Sequence, residues 1–264
     1  MANIIAVVCH KGGVGKTTTA ASLGGILASR GDRVLLVDTD PQMNLTRTFV
    51  QDEFERSVYD AFREKRDLPV VHVRECLDLV PSSVDVCGLD NELAAVIGRE
   101  RILGKLLSPL KNAYDWIFID CPAQLGLTTA NALTAADAAL IPISCDKFSG
   151  EGLQQMFGFI QMVHEINPGL GVAGIAVTKY RARRIVDATV LEGLREGWGP
   201  LVFGTVIREN AAIVQAPLAG KDIWSYDRKS SGAQDYDKLL TELGLRMKKW
   251  STLSESRRMY NRKA

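Results

Sequence analysis

Apolar, β-rich runs recur along the chain at Ile4–Val8, Val34–Val37, Trp116–Ile119, Ala139–Ile143, Val172–Val177 and Leu201–Val206. Stretches long enough for a helix separate them. Runs that are apolar throughout belong to strands covered on both faces, so this spacing predicts an α/β fold: a doubly wound, mostly parallel sheet with helices on both faces. The first crossover is well marked. Lys16 to Arg30 has helical composition and stops at Gly31, a residue suited to a left-handed cap. Between Gly88 and Lys111 the positions Leu89, Leu93, Val96, Ile97, Leu103, Leu106, Leu107 and Leu110 approximate helical spacing and predict one buried helix face.

Composition narrows the picture. A chain of 264 residues, 46% hydrophobic and 24% charged, has the material for one globular domain, placed here over 1–247. No window approaches the eighteen or more apolar residues that a membrane span needs, and the N-terminus lacks a signal peptide's basic start and cleavage site, so the expected location is cytoplasmic. The five cysteines, Cys9, Cys76, Cys87, Cys121 and Cys145, are scattered without a C-x-x-C pair and read as reduced and mostly buried. A net charge of +1 neither demands nor excludes a nucleic-acid partner, which leaves any such role to a local basic patch. Residues 248–264 carry Lys248, Lys249, Arg257, Arg258, Arg262 and Lys263 against Glu255 alone, and are expected to form a frayed basic tail.

The strongest chemical signal is His10-Lys-Gly-Gly-Val-Gly-Lys-Thr-Thr18, which follows the first strand and opens a helix. That is the context of a phosphate-binding loop. Gly12, Gly13 and Gly15, with Val14 between them, let successive N–H groups point at phosphate oxygens, and the helix beginning near Lys16 adds the positive end of its dipole. Lys16 is placed to neutralise β- and γ-phosphates, Thr17 to offer its hydroxyl to Mg²⁺, and Thr18 to donate to the α-phosphate. Asp38 and Asp40 fall at the carboxyl end of the second strand, and Asp120 at the end of Trp116-Ile-Phe-Ile-Asp. Ligands of open α/β sheets bind at that edge, so three acids converge on the phosphate loop.

The general motif has glycine where this chain has His10, and a lysine, Lys11, precedes the paired glycines. This pattern resembles the deviant Walker A P-loop ATPases, the group containing ParA, MinD and the nitrogenase iron protein. Beyond the loop, Gly126–Asp137, Ala139–Ile143, Glu151-Gly-Leu153, Gly204–Asn210, Gln215-Ala-Pro217, Gly220–Lys221, Tyr226–Asp227 and Ser231-Gly-Ala233 are similar to ParA in particular, to about Gly244.

The resemblance implies an ATP-dependent homodimer in which Lys11 reaches the partner's phosphates, with Lys11, Lys16 and Asp40 as the catalytic set. It implies ATP/ADP and Mg²⁺ as cofactors, the metal near Thr17, Asp40 and Asp120, and adenine contacts around Thr178, Ile207 and Arg208. Asp40 would position the attacking water, with Asp38 as its buried structural partner. It further implies double-stranded DNA bound without sequence preference through some of Arg181, Arg183, Arg184, Arg208, Lys221, Arg228 and Lys229. A ParB-like or cargo-adaptor protein would stimulate slow hydrolysis during plasmid or chromosome segregation.

The chain departs from the family pattern at Ala123, where a second proline is usual, and at Arg208-Glu209, where Pro-Arg is common. It begins at its first strand, like the short ParA proteins without a helix-turn-helix extension. Positioning of a protein cargo and a MinD-like role are the alternatives. For membrane attachment the tail offers only Leu253, Met259 and Tyr260 as large apolar residues, too little to anchor in a bilayer.

Overall fold

A computed structural model of the chain describes residues 1–146 and 149–261, with side chains described except at Ser149 and residues 249–261. The strands are β1 (Asn3–Val7), β2 (Val34–Asp38), β3 (Val71–Arg74), β4 (Leu77–Val80), β5 (Trp116–Asp120), β6 (Ala138–Ser144), β7 (Gly171–Tyr180) and β8 (Val202–Arg208). They form one eight-stranded sheet in the order β3-β4-β2-β5-β1-β6-β7-β8. Only the edge strand β3 runs antiparallel to its neighbour.

The helices are α1 (Lys16–Ser29), α2 (Asn44–Phe49), α3 (Val58–Glu64), α4 (Leu89–Glu92), α5 (Ile102–Leu107), α6 (Leu127–Ala135), α7 (Ser149–His164), α8 (Ile185–Trp198), α9 (Ala211–Leu218), α10 (Ile223–Asp227) and α11 (Ser231–Asn261). Alternate residues of each central strand enter different cores, as the two-residue period of a strand requires. Ile4 and Ala6 of β1 join Phe62, Leu103, Leu133, Met156 and Leu191 from α3 and α5–α8. Ile5 and Val7 join Leu23, Ala216, Ile223 and Leu239 from α1 and α9–α11. Each such side chain, withdrawn from water, stabilises the fold by roughly 1.5–3 kcal/mol before conformational entropy is counted.

All six anticipated strands form. The short pair β3 and β4 went unforeseen, because four residues give too little alternation to register. The anticipated helix between Gly88 and Lys111 is broken instead into α4, α5 and short 3-10 turns around Gly98, whose φ is 69°. Ile97, counted on its buried face, is 101% exposed. Gly31 does adopt the left-handed conformation that ends α1, at φ 91°. At the far end α11 runs to Asn261, so residues 248–261 of the expected tail continue a helix, and 262–264 lie outside the described residues. No helix of the described residues is long and apolar enough to cross a membrane.

Candidate functional site

The parallel register levels the working ends of three strands. Asp120 of β5 lies across from Val7 of β1 on one side and Asp38 of β2 on the other. The chain leaving β1 curls through Gly13 at φ 72° and Gly15 at φ 89°, conformations an L side chain resists, and Gly15 then caps α1. Thr178, from β7, supports the curl from below: its hydroxyl donates to the carbonyls of Val14 at 2.7 Å and Ile143 at 3.2 Å. Lys16 is only 6% exposed, and its Nζ donates to the carbonyl of Lys11 at 3.1 Å. An ammonium held in so little solvent beside open backbone N–H groups fits an anionic ligand.

Asp38 and Asp120 are both fully buried, yet they are built differently. Asp38 accepts from the amide and hydroxyl of Thr46, at 2.8 and 2.7 Å, and from the amide of Asp40 at 3.0 Å. Thr46 in turn accepts from the amide of Ser82 at 2.9 Å, so Asp38 fastens the loop after β2 to the end of β4. Asp40 is half-buried and accepts from the amide of Gln42 at 2.9 Å, which turns the loop into α2. Neither carboxylate oxygen of Asp120 has a hydrogen-bond partner. Burial first, and the adjacent Asp38 second, push Asp120 well above the usual carboxylate range, and the neighbouring Thr17 hydroxyl and Lys16 ammonium oppose the shift. Burial likewise raises Asp38 against its three hydrogen bonds.

Two acids side by side, one without any partner, call for a cation. Among the described residues no cluster of three or more His, Cys, Asp or Glu forms a closed metal cage. Mg²⁺ does not need one, since it is commonly held by one or two protein oxygens together with water and substrate phosphates. Asp120 and the neighbouring Thr17 hydroxyl fit that requirement.

Thus the structure brings together residues 11–18, Asp38, Asp40 and Asp120. Two residues at the mouth of the loop have partners that the sequence did not reveal. Lys11 forms an ion pair with Asp146 at 2.5 Å, and the Nδ1 of His10 lies 3.0 Å from the carbonyl of Ala123. The side chains expected around adenine take the following places. Thr178 is buried with its hydroxyl turned under the loop, Ile207 is 1% exposed in the core, and Arg208 forms a two-pronged pair with Asp235 at 2.8 Å for each contact. The basic residues divide too: Arg181 pairs with the buried Asp187 at 3.0 Å and Arg184 approaches it at 3.9 Å, whereas Arg183, Lys221, Arg228 and Lys229 are exposed. Cys9, Cys121 and Cys145 are buried, and burial raises each thiol away from thiolate chemistry.

A family model described as an AAA domain matches residues 2–172. The chain is 39% identical over 249 residues to the sporulation initiation inhibitor protein Soj of Bacillus subtilis, covering 92% of this chain and 98% of Soj. It is also 39% identical over 262 residues to the chromosome partitioning protein ParA of Myxococcus xanthus, covering 97% and 92%. The chain belongs to the ParA family of partition ATPases. Among solved structures, cobyrinic acid a,c-diamide synthase from Mycobacterium smegmatis, with bound ATP analog and magnesium, superposes with a TM-score of 0.81 at 32% identity, covering 91% of this chain and 93% of that one. The likeness of fold extends over nearly the whole of this ParA-family chain.

Proposed function

We propose that this ParA-family chain is a nucleotide-driven switch: ATP with Mg²⁺ closes a homodimer, the dimer binds double-stranded DNA without sequence preference, and slow hydrolysis, stimulated by a ParB-like or cargo-adaptor protein, releases it. The observation that carries the reading is the buried, partnerless Asp120 beside the phosphate loop and Lys16. The diamide synthase holding an ATP analog and magnesium supports the same ligands here. Mg²⁺ on Asp120 and Thr17 would supply charge neutralisation for the phosphates.

The chain's own groups do the rest. The amides of residues 12–18 bind the phosphates, and Lys16 holds their charge. Asp40, on a loop fixed by Asp38, orients a water toward the γ-phosphate and can take its proton. Lys11, on exchanging Asp146 for the partner's phosphates, would add a cation where charge develops, so hydrolysis depends on dimerisation. For DNA, the candidates that form no ion pair among the described residues are Arg183, Lys221, Arg228 and Lys229. Counter-charge from such residues suffices for sequence-independent binding. The protein would work in the cytoplasm, on the nucleoid while ATP-bound, in plasmid or chromosome segregation.

The test is fluorescence anisotropy of labelled duplexes of unrelated sequence across a salt series, with ATP or ADP. The expected result is equal, ATP-dependent binding whose logarithm falls linearly with the logarithm of salt, and a slope smaller by about one for Arg228→Ala. Binding that ignores the nucleotide, or none with ATP at low salt, would leave a metabolic ATPase like the diamide synthase as the better reading.

A further inference from the structure

His10 occupies the position that a general phosphate loop gives to glycine, and its side chain does not face the phosphate cradle's backbone. It reaches sideways to the carbonyl oxygen of Ala123, 3.0 Å from Nδ1. A carbonyl can only accept, so Nδ1 carries the proton and donates, in the neutral ring as well as in the imidazolium.

Ala123 stands three residues beyond Asp120, in the segment that joins β5 to α6. The far end of that segment is tied down separately. The Thr129 hydroxyl donates to the carbonyl of Gln124 at 2.6 Å, and the amide of Leu127 donates to Asp90 at 3.2 Å. At its near end the amide of Cys121 donates to the carbonyl of Val7 at 3.3 Å. Between these anchors the side chain of His10 holds the middle of the segment to the phosphate loop. A glycine at position 10 would leave that span without this tie.

Resting on the reading of this site as an ATPase, we infer that His10 is a positioning residue: its hydrogen bond to Ala123 makes the segment 121–126 follow the phosphate loop, so the loop's occupancy sets where the segment stands and how fast ATP turns over. The segment begins at the metal-binding acid, so displacing it alters the surroundings of the reacting phosphate while leaving the phosphate-binding amides in place. Turnover should respond, and ATP affinity should not.

The experiment compares wild type, His10→Ala and His10→Asn by steady-state ATPase kinetics, titration with a fluorescent ATP analogue, and hydrogen exchange of the peptide covering 121–126. Loss of one neutral hydrogen bond corresponds to about a three- to tenfold fall in kcat for His10→Ala, with analogue affinity within about twofold of wild type. Exchange of 121–126 should quicken with nucleotide bound, while a control peptide from α11 stays unchanged. Asparagine carries its N–H donor three bonds from Cα, as histidine carries Nδ1, so His10→Asn should recover at least half of the lost kcat and protection. Unchanged kcat and exchange in His10→Ala, equal losses in both variants, or a loss confined to ATP affinity would each overturn the inference. Absence of ATPase activity in the wild type would instead defeat the ATPase reading, with the exchange comparison still deciding whether His10 holds the segment.

Discussion

Arg246 and Asp120 are charged groups set against opposite ends of the same sheet. At the end where the strands begin, the Arg246 guanidinium donates to the carbonyls of Ala173, Leu201 and Val202 at 2.9, 3.0 and 3.2 Å, and lies 3.9 Å over the ring of Phe203. Nearby, Asp137 accepts from the amide of Ile4 at 2.8 Å, and Asp115 receives Arg33 through both prongs, at 2.8 and 3.1 Å. At the end where the strands finish, Asp120 has no hydrogen bond and Lys16 has one carbonyl. One edge is completed by the chain itself, and the other is left with a buried acid and a buried ammonium that lack such a complement. Since a buried charge without a partner destabilises a fold, the difference marks where stability has been given up for binding.

The largest expected effect falls at the incomplete edge. Lys16→Ala removes the main counter-charge to two phosphates and should weaken a fluorescent ATP analogue by more than about 100-fold, with the thermal stability of the empty protein little changed. Near wild-type affinity would mean the loop does not bind phosphate through this lysine. Asp40→Ala should come next: ATP still binds, single-turnover hydrolysis slows by about 100-fold or more, and dimer accumulates in size-exclusion with ATP. Unchanged turnover would make Asp40 a turn residue only.

At the completed edge the consequences invert. Arg246→Ala leaves three carbonyls short of a donor and uncovers Phe203, which should lower stability by about 2–4 kcal/mol in urea unfolding while ATP affinity stays the same. A loss of nucleotide affinity equal to the loss of stability would show that the two edges are not independent.

The sequence made the incomplete edge more legible than the completed one. Residues 12–18 are contiguous, and the glycines, lysine and threonines of a phosphate loop need no distant partner to be recognised. Asp38 and Asp120 could be placed because each ends an apolar run, and Asp40 because it follows Asp38 by two residues. What stayed hidden were pairings between residues remote along the chain. Arg208, read as a DNA-binding candidate, meets Asp235, and Lys11 meets Asp146. Thr46, which fixes Asp38, carried no signal because a threonine inside a short helix looks like any other. That the Thr178 hydroxyl turns under Val14 is likewise visible only in the fold.

The claim that Asp120 is an uncompensated acid awaiting a metal and nucleotide also has a pH signature. In the empty protein its proton is held above the usual carboxylate range, so the folded chain binds more protons than the unfolded chain in that window. Stability of the empty protein should therefore fall as pH rises from the ordinary carboxylate pKa through the raised one, a slope that Mg²⁺ and nucleotide should flatten.

The most direct measurement is thermal unfolding of wild type and Asp120→Asn at neutral pH, each empty and each with Mg²⁺ and a non-hydrolysable ATP analogue. Asparagine keeps the shape and removes the titrating group. The expected result is that the empty variant melts about 2–4 °C above the empty wild type, and that ligand stabilises the wild type more than the variant. An empty variant less stable than wild type, together with an equal gain from ligand in both, would contradict the account.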